Sequence, residues 1–354
     1  MKFLHIFNVS KGHYFAKLLI DTINSNLEFD KNEHYFCLRN KEFFKSLNYS
    51  NVIFDDSKGS LVAKYIDSYD FIFLHGLDNP DEIVQLPKEK IDKIIWRTWG
   101  GSSGLYSIRR KNLFSFFKDI KKRHKRKIIV DKMKLVCGAN AVDLIDTRQK
   151  CDHFFEFPYP IKETVVDIEN CGLDINKSVV NILVGHSAYY TDKHESVLTQ
   201  LKKWIDYDIN IIVPLTYGKE EYKRKIIDKW KPIFGEKIRF LEEQMPFNEY
   251  KYLISNMDLV FIVGDRSYAL GNIDLVLKNK INLVVSKKGV IRKGLEFEGI
   301  NCHLFNSKFF RNNPAKFKEK AKYYIEGTSF CSDYMKDVKK LTKIFKFLKA
   351  GKEN

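Results

Sequence analysis

The sequence predicts an α/β protein built from two Rossmann-like domains facing across a cleft, on three observations. Short apolar, β-rich runs alternate with amphipathic helical stretches; the alternation pauses once near the middle of the chain; and it then restarts. Continuous apolar strands separated by helices are buried on both faces, as in a parallel sheet covered by helices. A length of 354 residues suits two domains of about 150 residues better than one core.

In the first half, strands are expected at Phe3–Phe7, Tyr35–Leu38, Val52–Phe54, Phe71–Leu74, Lys93–Trp96, Leu135–Cys137 and Phe154–Phe157. Helical stretches between them include Tyr14–Ile23 and Leu113–Ile120. The sequence FPYP (Phe157–Pro160) and the polar stretch to about Lys177 read as an interdomain linker, because prolines bracketing a tyrosine interrupt regular structure. Strands then resume at Val179–Val184, Ile209–Val213, Ile238–Leu241, Leu259–Val263 and Ile281–Val285, with helices at Glu195–Ile205, Glu220–Trp230 and Phe247–Asn256. Ser332–Leu348 is a basic helical segment. The expected division is therefore 1–160, 175–330 and a C-terminal helix over 331–354.

Composition narrows the function classes. Hydrophobic residues at 44% and charged residues at 30% describe an ordinary folded protein. No apolar run approaches the roughly 20 residues that span a bilayer, and the N-terminus reads as a first strand instead of a signal peptide. The six cysteines, Cys37, Cys137, Cys151, Cys171, Cys302 and Cys331, include no CxxC pair. That pattern fits buried thiols in a reducing compartment, so a cytoplasmic location is expected. A formal charge of +16 implies attraction to polyanions such as anionic lipid, nucleic acid or a phosphorylated substrate.

Four places could carry chemistry. In ILVGHSAYYTDKHE (Ile182–Glu195) a strand ends in Gly185-x-Ser187 before a helix, where unpaired amides can hold phosphate oxygens. An ordinary capped loop would look the same. In VPLTYG (Val213–Gly218), Tyr217 is placed to stack on a base or sugar, or on its own domain. In GDRSYALGNIDL (Gly264–Leu275), Arg266 offers a planar fork for a diphosphate, and Gly271 and Asn272 lie where a helix begins. A surface salt bridge with an N-cap is the plain alternative. In the first half, His75 ends a strand in FLHG, where an imidazole can take a proton from an acceptor hydroxyl. Trp99 and Gly100 open the run WGGSSG, whose glycines permit close backbone approach to a ligand.

No metal is expected. The one Asp-x-Asp, Asp206–Asp208, precedes its strand and reads as a turn, and neither HExxH nor a Cys/His cluster occurs. Walker A is absent as well. From Arg109 to Lys127 there are ten Lys/Arg against the single acid Asp119, interleaved with Leu113, Phe114, Phe116, Phe117 and Ile120. Such a helix suits an anionic membrane interface, or simply a core face with solvated charges. Nucleic-acid binding lacks any helix-turn-helix, RNP or KH pattern.

Taken in order, the motifs resemble glycosyltransferase family 56, which includes the transferase of enterobacterial common antigen synthesis. The matching pieces are His75–Gly76, W-x-x-W-G at Trp96–Gly100 with Leu105–Tyr106, ILVG-x-S with a downstream His at Ile182–His194, VP-x-x-Y at Val213–Tyr217, F-x-x-Y and MDL at Phe247–Leu259, and the Arg266–Leu275 loop. The resemblance implies a GT-B architecture, with a nucleotide-sugar donor on the second domain, the acceptor on the first and no bound metal or other cofactor. It places Gly185, Ser187, Tyr217, Arg266, Gly271 and Asn272 on the donor side, and His75, Trp99 and Gly100 on the cleft wall. It further implies a dTDP-linked acetamidodideoxy sugar and a lipid-linked acceptor met at the inner face of the cell membrane. The chain departs from the family where GGSSGLY replaces a stretch that carries an Asp, which leaves donor sugar and acceptor open. A non-catalytic nucleotide- or nucleic-acid-binding module, and a GT-B enzyme with a soluble acceptor, are the alternatives.

Overall fold

Strand β1 (Phe3–Phe7) sets the pattern of the first sheet. Its residues Phe3 and Phe7 pack into one apolar layer with Leu19, Ile23 and Phe36, while Leu4 and Ile6 pack into another with Val62, Trp96 and Ile129. Burial on both faces is why the strand is apolar at every position but His5 instead of alternating. The structure, a computed structural model, describes the chain outside residues 8–12, 45–46, 78–79, 99–112, 141, 144–152, 162–174, 332 and 354.

Two units are present. The first spans Met1–Glu163 and Ser332–Asn354, and the second Thr164–Cys331. In the first, β1 joins β2 (His34–Leu38), β3 (Val52–Phe54), β4 (Phe71–His75), β5 (Ile94–Arg97), β6 (Leu135–Gly138) and β7 (His153–Glu156). The order is β3-β2-β1-β4-β5-β6-β7, with all pairs parallel. Helices α1 (His13–Ser25), α2 (Leu61–Tyr65), α3 (Pro80–Val84), α4 (Lys88–Ile91) and α5 (Leu113–Lys132) supply crossovers.

The second unit repeats the plan with β8 (Val180–Val184), β9 (Ile209–Pro214), β10 (Ile238–Leu241), β11 (Leu259–Ile262), β12 (Asn282–Ser286) and β13 (His303–Phe305), alternating with α6 (His194–Leu201), α7 (Glu220–Phe234), α8 (Phe247–Ser255), α9 (Leu270–Lys278) and α10 (Val290–Phe297). The parallel order is β10-β9-β8-β11-β12-β13. Strand order reverses at β8, which pairs with β9 on one side and with β11 on the other. In open parallel sheets the crevice outside the carboxyl ends at such a reversal is where ligands bind.

Three features differ from the sequence reading. Strand β13 was not expected, because His303 leaves only Leu304 and Phe305 apolar, whereas the equally short β3 is apolar throughout. The FPYP stretch belongs to the core of the first unit: Phe157 and Tyr159 are buried there, and the Phe157 amide donates to the Gly138 carbonyl. The C-terminal helix α11 (Tyr334–Glu353), expected as a segment of its own, buries Val338, Leu341, Ile344, Phe345 and Leu348 in the layer that holds Phe3. Among the described residues no helix is long and apolar enough to cross a membrane.

Candidate active site

The loops that follow β8, β9 and β11 meet at the carboxyl edge of the second sheet, the first two fixed by backbone contacts and the first and third by a side-chain pair. Ala188 bridges to Gly218, with the Ala188 amide donating to the Tyr217 carbonyl at 2.7 Å and the Lys219 amide to the Ala188 carbonyl at 2.9 Å. Gly218 has φ of +136°, and a Cβ there would lie 2.4 Å from the Ala188 carbonyl oxygen, so only glycine allows this approach. Lys193, itself left-handed at φ 56°, reaches across to Asp265 at 2.6 Å, and Ser286 Oγ donates to the same carboxylate at 2.8 Å.

Asp192 organises the loop after β8. Its Oδ2 accepts from the His186 amide (3.1 Å), the Ser187 amide (2.9 Å), Ser187 Oγ (3.0 Å) and the His186 ring at Nδ1 (2.9 Å). Burial alone would raise the Asp192 pKa, but the charge and hydrogen bonds of His186 outweigh it and hold the carboxyl below its ordinary value. The side chain is fully buried and its Oδ1 has no hydrogen-bond partner.

This arrangement corrects the expectation for Gly185 and Ser187. The amides expected to meet a phosphate already donate to the protein's own carboxylate, and Ser187 is fully buried. Gly185 is enclosed as well: its amide donates to the Phe261 carbonyl, and a Cβ would lie 2.4 Å from His194 Nε2. Both residues build the loop from within.

Arg266, Gly271 and Asn272 lie on the segment from the end of β11 to the first turn of α9. The guanidinium of Arg266 lies 5.4 Å over the ring of Tyr268 and is 3.4 Å from Thr191 Oγ1. Tyr268 is buried, and its hydroxyl accepts from the Gly264 amide at 2.6 Å; burial pushes its phenol pKa up, keeping it neutral. Helix α9 starts after Ala269, which is left-handed at φ 53°, and no side chain caps it. The cap residue Ala269 has no polar side chain to meet the first-turn amides of α9, at an end that carries partial positive charge. Gly271 is exposed, and a Cβ there would meet nothing within 4 Å. The Asn272 amide donates to Tyr250 Oη at 2.8 Å, which holds that side chain on the protein. Tyr217 is half-exposed and stands edge-on to His186, with ring centroids 5.8 Å apart.

In the first unit His75 is fully buried and stacked on Phe7 at 3.9 Å. Its Nδ1 is 2.7 Å from the Tyr159 hydroxyl, its Nε2 is 3.2 Å from His5 Nδ1, and His5 Nε2 is 3.2 Å from His34 Nδ1. Neutral imidazoles each donate once and accept once, so the chain satisfies itself if all bonds run one way. Burial, with Arg97 nearby, holds the His75 pKa well below the ordinary value. That geometry leaves His75 no open nitrogen for an acceptor hydroxyl, contrary to the expectation from the sequence. Trp99 and Gly100 lie outside the described residues, and among those described no three His, Cys, Asp or Glu gather as metal ligands.

Sequence reasoning missed His186, Asp192, Lys193 and Asp265. The available signal was a His and an Asp six residues apart within one βα loop, which reads as ordinary loop polarity until the chain is folded.

Two successive Rossmann-like units, the second with an uncapped helix start and a guanidinium at its strand-order reversal, have the fold of the GT-B glycosyltransferases. Residues 12–323 match the family described as 4-alpha-L-fucosyltransferase, glycosyl transferase group 56, and the chain belongs to that family. Its structure is similar to a glycosyltransferase from Rickettsia africae at 12% identity and a TM-score of 0.64, covering 98% of each chain. It is also similar to the lipopolysaccharide outer core galactosyltransferase WaaB, at 12% identity and a TM-score of 0.62 over 98% of this chain and 99% of that one. Anabaena HepE, solved with UDP and glucose, matches at 13% identity and a TM-score of 0.58 over 97% of this chain and 95% of that one.

Proposed function

We propose that the chain transfers a deoxy or acetamido sugar from a nucleoside-diphosphate donor, dTDP-linked, to a lipid-linked or cell-surface glycan precursor, without a bound metal, on the cytoplasmic face of the membrane. The observation that carries the donor site is the uncapped start of α9 beside Arg266. As the bond between sugar C1 and the phosphate oxygen breaks, charge develops on the departing diphosphate. Fixed amides and a guanidinium aimed at that charge stabilise the transition state more than the ground state. Tyr217, half-exposed at the next loop, offers a face for the base or the sugar. The UDP bound by HepE supports the donor class.

The acceptor reading rests on α5. Phe117 and Ile120 are exposed one turn apart, beside exposed Lys121 and His124, a pairing of apolar and basic side chains that suits an anionic lipid surface. The deciding experiment is a panel of nucleotide sugars with lipid-linked and soluble acceptors, read as nucleoside diphosphate release with and without EDTA. Turnover with a dTDP-sugar and a lipid-linked acceptor that survives EDTA is the expected result. Dependence on added divalent metal, or on a UDP- or GDP-sugar alone, would replace the corresponding part of the proposal.

A further inference from the structure

We propose that His186, aligned by Asp192, hydrogen-bonds the departing diphosphate of the donor through Nε2, so that His186 is a catalytic residue and Asp192 its positioning residue. This rests on the donor-site reading above and adds a group that neither the motifs nor the fold assigned.

Asp192 cannot turn away from the ring. Four donors converge on one of its oxygens, and two of them are backbone amides of the loop it stabilises. Among the described residues its one ion-pair partner is His186. The other groups around the ring do not take that role. Arg266 reaches Thr191, His194 bonds the Tyr222 hydroxyl, and Lys193 bonds Asp265. His194 is held neutral by burial, its pKa lowered to about 4. With Nδ1–H held on Asp192, donation from Nε2 uses the imidazolium form, in which both ring nitrogens are donors.

The rest of the ring faces the donor loops. With Nδ1 fixed, Nε2 has no hydrogen bond among the described residues, and the side chain is 13% exposed. His186 lies 5.0 Å from the Tyr268 ring, and Arg266 lies 5.4 Å from the same ring. The imidazole and the guanidinium thus flank one buried phenol, which immediately precedes Ala269, the N-cap of α9.

In the transfer, the C1–O bond breaks with its electron pair going to the β-phosphate oxygen. The acceptor hydroxyl oxygen forms the new bond to C1 and gives its proton to solvent. The nucleoside diphosphate leaves with one more negative charge, which the Nε2–H meets.

The test measures kcat, KM and the affinity for dTDP and UDP. His186→Asn should lower kcat about 10²-fold, as for loss of one preorganised donor, with the diphosphate still bound. His186→Gln places an amide near Nε2 and should restore part of kcat. Asp192→Asn keeps a hydrogen-bonding oxygen in the loop but not the charge, and should lower kcat with KM little changed. A merely structural aspartate would lower the melting temperature and leave the kcat of the folded variant in place. Wild-type kcat in folded His186→Asn, with diphosphate still bound, overturns this inference alone. If wild-type protein binds neither nucleotide at any pH, the donor-site reading falls and takes the inference with it.

Discussion

Arg266 stands between the end of β11 and the start of α9. A guanidinium between a strand end and a helix start is recognisable in one dimension, because both elements are contiguous in the chain. Its substitution by Ala should weaken nucleoside diphosphate binding by about 1.5–3 kcal/mol, the range for a charge-assisted hydrogen bond. Titration calorimetry would check this, and unchanged affinity in a folded variant would remove Arg266 from the site. Gly185 and Ser187 teach the opposite lesson. The pattern Gly-x-Ser at a strand end says that amides are available, but not that a carboxylate five residues further on will occupy them. The same blindness hid His186, whose meaning depends on which oxygen its Nδ1 meets.

Among elements, every strand but β13 was legible, the edge strands β3, β7 and β10 included. Apolar runs long enough to be covered on both faces announce themselves, as β1, β8 and β11 do. Strand β13 has three half-buried residues and carries no such signal. The histidines of β1, β2 and β4 were visible as residues, yet their alignment needs the parallel register that sets His5 beside Phe36 and Phe73. That alignment has a consequence for acid stability. Burial lowers the pKa values of His5 and His75 well below the ordinary value, and that of His34 to about 3. Groups with folded pKa values below the unfolded value of about 6.5 are neutral in the native state, so stability holds above that pH. It is lost as the pH falls from about 6.5 toward 3, by at most about 1.4 kcal/mol per group and pH unit. Melting temperatures at pH 7.5 and 5.0 should differ, and His5→Phe should narrow the difference. A melting temperature equal at both values would show that the native state takes up these protons without strain.

At the scale of the whole molecule, the two units make separable predictions. Ending the chain at residue 331 removes α11 and exposes the layer formed by Phe3, Phe36 and Phe73, so the first unit should lose its cooperative melting transition while the second keeps its own. A single transition unchanged by the truncation would deny the packing described for α11. Membrane docking is tested on the intact chain by co-sedimentation with neutral and anionic vesicles at low and high salt. Substituting Lys121, Lys122, Arg123, Lys125 and Arg126 by Ser should abolish most anionic-vesicle binding and leave nucleotide binding intact, since each basic residue near such a surface contributes about 1 kcal/mol. Retained vesicle binding would move the anchor elsewhere.

The return of α11 to the first unit also governs the order in which the protein is made. A ribosome releases residues 1–163 first, but their apolar layer has no partner for Phe345 or Leu341 until residues 334–353 have been synthesised. At roughly 5–20 residues per second, that interval lasts on the order of ten to forty seconds. The second unit is continuous in sequence and can close during it. The nascent N-terminal half must therefore wait with an unfilled hydrophobic face, and it is this half, not the second unit, whose yield should respond to chaperone supply and to the speed of translation.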